Sequence, residues 1–190
     1  MVHALRGVVV ALGLAAAVAT ADEIEVERAA LAVNDEGIVL NADFALDLTA
    51  RLEDALDKGV PLYFLVEFEL YRPRWYWLDR RIGTATRSTR LSFHALTRTY
   101  RLSTGTLHQS YATLGDAIRA LARVRDWPVL PHGALSPDTS YYAYVRMRLD
   151  TAQLPKPFQV SALANREWIL ESPWKKWEVN GSIPVSEADQ

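Results

Sequence analysis

The sequence predicts a mainly β domain of the α+β class: an antiparallel, sandwich-like or strongly bent sheet carrying two short helices. Three observations predict it. Apolar and polar side chains alternate along residues 38–47, 62–71 and 142–149, the period expected of half-buried strands. Only two short stretches, around Leu52 and around Ile118, carry apolar residues at helical spacing. Turn-forming clusters separate the strands, and no long helix lies between them as a parallel βαβ arrangement would require.

Ile24 to Val33 reads as a weak first strand. It turns through Asn34-Asp35-Glu36-Gly37, where the glycine suits a positive φ in a short hairpin loop. The second strand alternates Ile38, Leu40, Ala42, Phe44 and Leu46 with Val39, Asn41, Asp43, Ala45 and Asp47. Leu48, Leu52, Ala55 and Leu56 follow at helical spacing, and Gly59 with Pro61 stops that helix. The longest strand puts Leu62, Phe64, Val66, Phe68 and Leu70 on one face and Tyr63, Leu65, Glu67, Glu69 and Tyr71 on the other. Pro73 cannot donate to a ladder, which implies a bulge or an edge position. Trp75 and Trp77 continue one face, with Arg74, Tyr76 and Leu78 on the other. This predicts a hairpin pairing 62–80 with 87–102 through a turn at Gly83-Thr84-Ala85-Thr86.

A second turn at Ser103-Thr104-Gly105-Thr106 leads into a strand at Leu107 to Tyr111. Thr113 and Asp116 make a capping-box-like start to the second helix, with Leu114, Ala117, Ile118 and Leu121 as its apolar stripe. A strand entered through Trp127-Pro128 follows, and residues 131–139 are loop by composition. Tyr142, Tyr144, Arg146 and Arg148 then alternate with Ala143, Val145, Met147 and Leu149. Leu154-Pro155-Lys156-Pro157-Phe158 reads as an extended, proline-stiffened connection. Strands resume at Phe158–Leu163 and Trp168–Leu170, and residues 179–190 form a polar, flexible tail.

The first residues carry an address. Arg6 precedes a short apolar run from Gly7 to Val18, and Ala19-Thr20-Ala21 closes it just before Asp22-Glu23. A basic start, an apolar centre and a small-residue exit describe a signal peptide cut after Ala21. The run falls short of the roughly 20 apolar residues that span a bilayer. Residues 22–178 are then expected to form one exported β-rich domain, without a membrane span. The chain has no cysteine, which excludes disulfides, thiol nucleophiles and thiolate metal ligands.

Charge is unevenly spread. Residues 22–57 hold eleven acids and two arginines, whereas residues 72–101 hold eight arginines and a single acid, Asp79. Either the two halves pair within the domain, or the basic stretch meets an anionic partner. Export argues against nucleic acid and leaves anionic lipid, polysaccharide or an acidic protein face.

No motif states an activity. His94, His108 and His132 lie apart from any carboxylate at ligand spacing, and there is no Gly-x-Ser-x-Gly elbow or phosphate-binding glycine loop. No cofactor or metal is expected. Glu67 and Glu69 share a strand face, as a general acid and base would, although a solvated or arginine-paired face explains them as well. The most unusual composition is Tyr71-Arg72-Pro73-Arg74-Trp75-Tyr76-Trp77, since Trp and Arg together mark binding hot spots. Arg72, Arg74, Trp75, Trp77, Arg98, Arg146 and Arg148 are the candidate binding residues, with stacking along a strand ladder as the purely structural reading.

Together these segments carry a resemblance. Gly59-Val60-Pro61-Leu62-Tyr63-Phe64, Arg74-Trp75-Tyr76-Trp77, Leu91-Ser92-Phe93-His94-Ala95-Leu96-Thr97-Arg98, Tyr100-Arg101-Leu102, Val145-Arg146-Met147-Arg148-Leu149-Asp150 and Leu154-Pro155-Lys156-Pro157-Phe158-Gln159 occur in this order. From about Ile24 to Trp177 the chain resembles the exported bacterial proteins grouped as domain of unknown function 4390. The resemblance implies a periplasmic location and a setting beside a membrane sensor kinase and its response regulator. It implies no reaction and no catalytic residues. The expected function is a non-enzymatic periplasmic binding or accessory module in envelope sensing, whose partner is an envelope protein, a sensor kinase among them, or an anionic envelope ligand. The alternatives are a periplasmic enzyme acting on an anionic or glycan substrate and a structural envelope protein.

Overall fold

The computed structural model describes residues 24–76 and 78–185. The leader expected at 1–21 and its cleavage site lie outside the described residues. The elements are β1 (Glu25–Asn34), β2 (Gly37–Ala45), α1 (Ala50–Asp57), β3 (Leu62–Arg72), β4 (Arg80–His94), β5 (Thr99–Thr104), β6 (Leu107–Tyr111), α2 (Leu114–Leu121), β7 (Arg123–Leu130), β8 (Ser140–Leu149), α3 (Lys156–Ala164) and β9 (Lys175–Asn180). They make two sheets, one ordered β1-β2-β7 and the other β6-β5-β4-β3-β8-β9. Every neighbouring pair is antiparallel. The fold is therefore the β-rich α+β class, with three short helices where two were expected.

The alternation along β3 sets the arrangement. Leu62, Phe64, Val66, Phe68 and Leu70 are all buried, and they join residues of both sheets in one hydrophobic core. Ala143, Val145, Met147 and Leu149 of β8 point the same way, which frees the opposite face of the β3–β8 pair for polar chemistry. Both expected helix starts are capped: the Thr49 side chain accepts from the Leu52 amide at 3.2 Å and Thr113 from the Asp116 amide at 3.1 Å.

The structure corrects several boundaries. The β3–β4 turn lies at residues 73–79, not at Gly83–Thr86, so Trp75 stands in the turn and does not continue the strand. Pro73 ends the ladder because it has no N–H to donate, and the register slips between Leu70 and Tyr71. Thr84, Thr86 and Thr89 are β-branched strand formers in the middle of β4. Gly83 serves close packing there: a Cβ at that position would overlap the Leu130 side chain. The expected strand from Leu91 to Leu102 is broken after His94, where Arg98 takes a left-handed φ of 50°.

The segment after β8 differs most. Lys156–Ala164 is helical, not extended or β, with proline in its first turn, where its fixed φ suits a helix and its missing N–H costs nothing. Arg166–Trp168 is a 3₁₀ turn in place of the strand expected at Trp168. Its Trp168 ring is buried and packs 5.4 Å from Phe158. Regular structure continues past 178: β9 reaches Asn180 with Val179 buried, and Val185 bridges to Val33 of β1.

Candidate binding surface

Antiparallel register places Glu67 of β3 directly opposite Arg146 of β8, with Arg148 two residues along on the same face. The Glu67 carboxylate accepts from Arg146 Nε at 2.6 Å and from Arg148 Nε at 3.1 Å, and all three side chains are partly buried. Arg148 also approaches Asp150, at 3.9 Å. The Arg146 guanidinium lies 4.5 Å from the centre of the Trp174 ring, stacked as cations stack on indoles. Burial is the largest single influence on Glu67 and pushes its pKa up. The hydrogen bonds and charges of Arg148 and Arg146 outweigh it, and the carboxyl is held below its ordinary range. A carboxylate held this way remains ionised at neutral pH and has no proton to donate.

The same face continues as an aromatic ladder. Tyr71 and Tyr144 meet edge to face at 5.6 Å, and Lys176 of β9 sits 3.7 Å above Tyr142. The Tyr71 hydroxyl donates to Glu69 at 2.8 Å, a bond that, ahead of burial, raises its pKa. Arg146 and Arg148 are thus internally paired. An open groove of about 570 Å³ runs between this ladder and the turn, lined by Glu69, Tyr71, Leu78, Asp79, Tyr144 and Trp174.

At the β3–β4 turn the pairing stops. Trp75 is 93% exposed, Leu78 82% and Tyr76 65%. The Trp75 and Tyr76 rings stand edge to face, 5.0 Å apart. Arg72 and Arg74 on one side of the turn and Arg80 and Arg81 on the other are exposed as well. With Pro73, Trp75 and Tyr76, three of these arginines line a shallow groove of about 380 Å³. Trp77 lies outside the described residues. Arg98, grouped with these side chains by composition, is at the other end of β4: 15 strand residues at about 3.3 Å each put it roughly 45 Å away.

The charge asymmetry resolves in the same way. Acids of the N-terminal stretch pair elsewhere: Asp43 with Arg125, and Asp54 with Lys58 at 2.7 Å. Among the described residues, none of the eight arginines between 72 and 101 enters an ion pair. One of them, Arg87, is half-buried and faces inward with Thr89 at a cavity of about 60 Å³ that also meets Arg123. Burial lowers the pKa of its guanidinium.

Sequence reasoning missed Arg80, Arg81 and Leu78 as neighbours of Trp75, because it placed the turn too late. Taking Pro73 as the end of the ladder would have found them. It also missed Trp174, whose stacking on Arg146 depends on a strand pairing that no local pattern announces. Among the described residues, no three His, Cys, Asp or Glu side chains gather as a metal site. His108 instead contacts the Ser103 hydroxyl at 2.9 Å and His132 the Asp35 carbonyl at 3.1 Å. Among protein families, the model described as Domain of unknown function (DUF4390) matches residues 21–178. No curated protein and no solved structure matches the chain.

Proposed function

Because the chain belongs to the family described as Domain of unknown function (DUF4390), whose description carries no activity, we propose a function from the geometry: a non-enzymatic binding or accessory module of the periplasm. The β3–β4 turn, residues 72–81, is its docking element, and its partner presents negative charge. One observation carries this reading. Four exposed arginines outside any ion pair among the described residues flank three exposed apolar side chains at a single turn, and three of them share a groove with Trp75 and Tyr76. Guanidinium groups without internal carboxylates keep their donors for a partner, and exposed Trp and Tyr supply contact area at low entropic cost. The candidate set divides accordingly: Arg72, Arg74 and Trp75 serve docking, and Arg146 and Arg148 hold the β3–β8 face. An envelope protein, including the exported part of a sensor kinase, or an anionic envelope ligand fits this chemistry.

The enzyme reading loses Glu67 as a general acid, since two arginines hold its carboxyl below the ordinary range. A photo-crosslinking residue at position 75, used in intact cells and followed by mass spectrometry, tests the proposal. Crosslinks to a defined envelope component that vanish with Arg74→Glu are the expected result. Crosslinks unchanged by Arg74→Glu in a normally folded protein overturn it.

A further inference from the structure

We infer that the partner of the 72–81 turn is the headgroup region of an anionic bilayer, with Trp75, Tyr76 and Leu78 entering the interface and the four arginines lying against lipid phosphates. This deepens the docking reading and rests on it. The size of the apolar contact is the first argument. An aromatic side chain buries about 150–250 Å², so the Trp75 and Tyr76 rings, at 93% and 65% exposure, offer on the order of 350 Å². A standard protein interface needs about 800 Å² from each partner. The two rings supply less than half of that, so a protein partner would have to cover the arginines and further surface as well, whereas a bilayer interface requires only a local insertion.

The chemistry is the second argument. Trp and Tyr partition to headgroup depth because each ring has an apolar body and a polar tip. Arg72, Arg74, Arg80 and Arg81 stand against one acid, Asp79, within ten residues. Each basic residue close to an anionic membrane surface strengthens binding roughly fivefold, through attraction that salt screens. Arginine adds a planar fork that matches phosphate oxygens. Arginines flank the aromatic rings on both sides of one turn, so insertion and charge contact occur at the same place. The turn at Ala95–Arg98 supplies an internal control. There Leu96 is 93% exposed and Arg98 is close by, but no aromatic ring or second arginine stands in the turn itself.

The test is co-sedimentation of the purified chain with vesicles, either phosphatidylcholine alone or phosphatidylcholine mixed with phosphatidylglycerol. The protein is expected to sediment with the mixed vesicles only, and less as salt rises. Arg74→Glu should weaken binding about tenfold or more by the same per-charge estimate, since it removes one cation and adds an anion. Trp75→Ser should weaken it and abolish the part of the tryptophan emission shift that depends on lipid. Leu96→Ser should change neither. All three positions are exposed, and an unchanged melting temperature verifies that each variant is folded. Absence of vesicle binding, equal binding to both vesicle types, or binding unaffected by Arg74→Glu and Trp75→Ser overturns the inference. If vesicles fail while crosslinks from position 75 still land on an acidic protein and vanish with Arg74→Glu, the lipid inference falls and the docking reading stands. If both fail, both fall.

Discussion

Replacing Glu67 by glutamine is the most discriminating change on the β3–β8 face. The carboxylate holds Arg146 and Arg148 by two hydrogen bonds, at 2.6 and 3.1 Å, and its own side chain is 22% exposed. A hydrogen bond to a charged group contributes about 1.5–3 kcal/mol when sheltered. Glutamine keeps one acceptor oxygen, and partial exposure screens the remaining charges. The expected loss is therefore about 1–2 kcal/mol at neutral pH, not the full sum of two bonds. For a domain of this size about 2–4 °C of melting temperature corresponds to each kcal/mol, so the variant should melt roughly 2–8 °C lower. The pH dependence supplies the sign. Burial raises the Glu67 pKa, but the two arginines prevail and the folded value lies below the ordinary 4.5. Proton binding is thus tighter in the unfolded chain, and the stabilisation is fully present above that ordinary value. It disappears as pH falls through the lower folded value. Thermal unfolding of both proteins from neutral to acidic pH should show a constant gap that closes only in acid. Equal melting at neutral pH would refute the clamp, and a gap that persists undiminished into strong acid would show that packing, not charge, was responsible.

The remaining predictions are also read from unfolding, by heat or by urea. Phe68, fully buried and 6.5 Å from the Trp177 ring, should cost about 3–5 kcal/mol when cut to alanine; an unchanged urea midpoint would mean that the wrong β3 face was assigned to the core. Arg146→Glu should destabilise strongly, because it sets two carboxylates together beside Trp174, whereas Arg74→Glu should change stability by less than about 1 kcal/mol; equal effects would erase the distinction between clamp and docking arginines. Gly181→Ala should cost about 1–3 kcal/mol as overpacking, since its new Cβ would overlap the Ser136 carbonyl oxygen; a neutral result would show that the 131–139 loop yields freely.

Strands whose burial alternates were legible because the pattern itself is the signal. β2, β3 and β8 all fell where Phe44, Phe68 and Val145 placed them, and the Thr113 cap, though not that of Thr49, was read from spacing alone. Turns without glycine or proline were not legible. Ala95-Leu96-Thr97-Arg98 contains no residue that favours a positive φ, yet Arg98 adopts one. Pro157 misled in the opposite direction: proline stiffens an extended chain and also starts a helix, and only tertiary packing of Phe158 on Trp168 decides between them. For the surface, composition found the arginines but not their partners. Whether Arg146 meets Glu67 depends on the pairing of two strands about eighty residues apart, which local sequence does not encode. Arg74 and Arg148 look alike in sequence and differ only in what the fold sets opposite them.

Residues 181–185 have a consequence for the outer edge of the smaller sheet. β1 is an outer strand of its sheet, and a free outer strand is a template for pairing with another chain. Here the chain covers its own template. Pro184 accepts from the Val33 amide at 2.9 Å, and the Lys175 ammonium donates to the Val26 and Glu27 carbonyls at 2.9 and 2.8 Å. A lysine and a proline-bearing segment thus occupy both ends of the strand. A chain shortened after Asn180 would keep its core but uncover part of this edge, and light scattering should register growth with concentration. Residues that look like a tail by composition act as a guard against self-association.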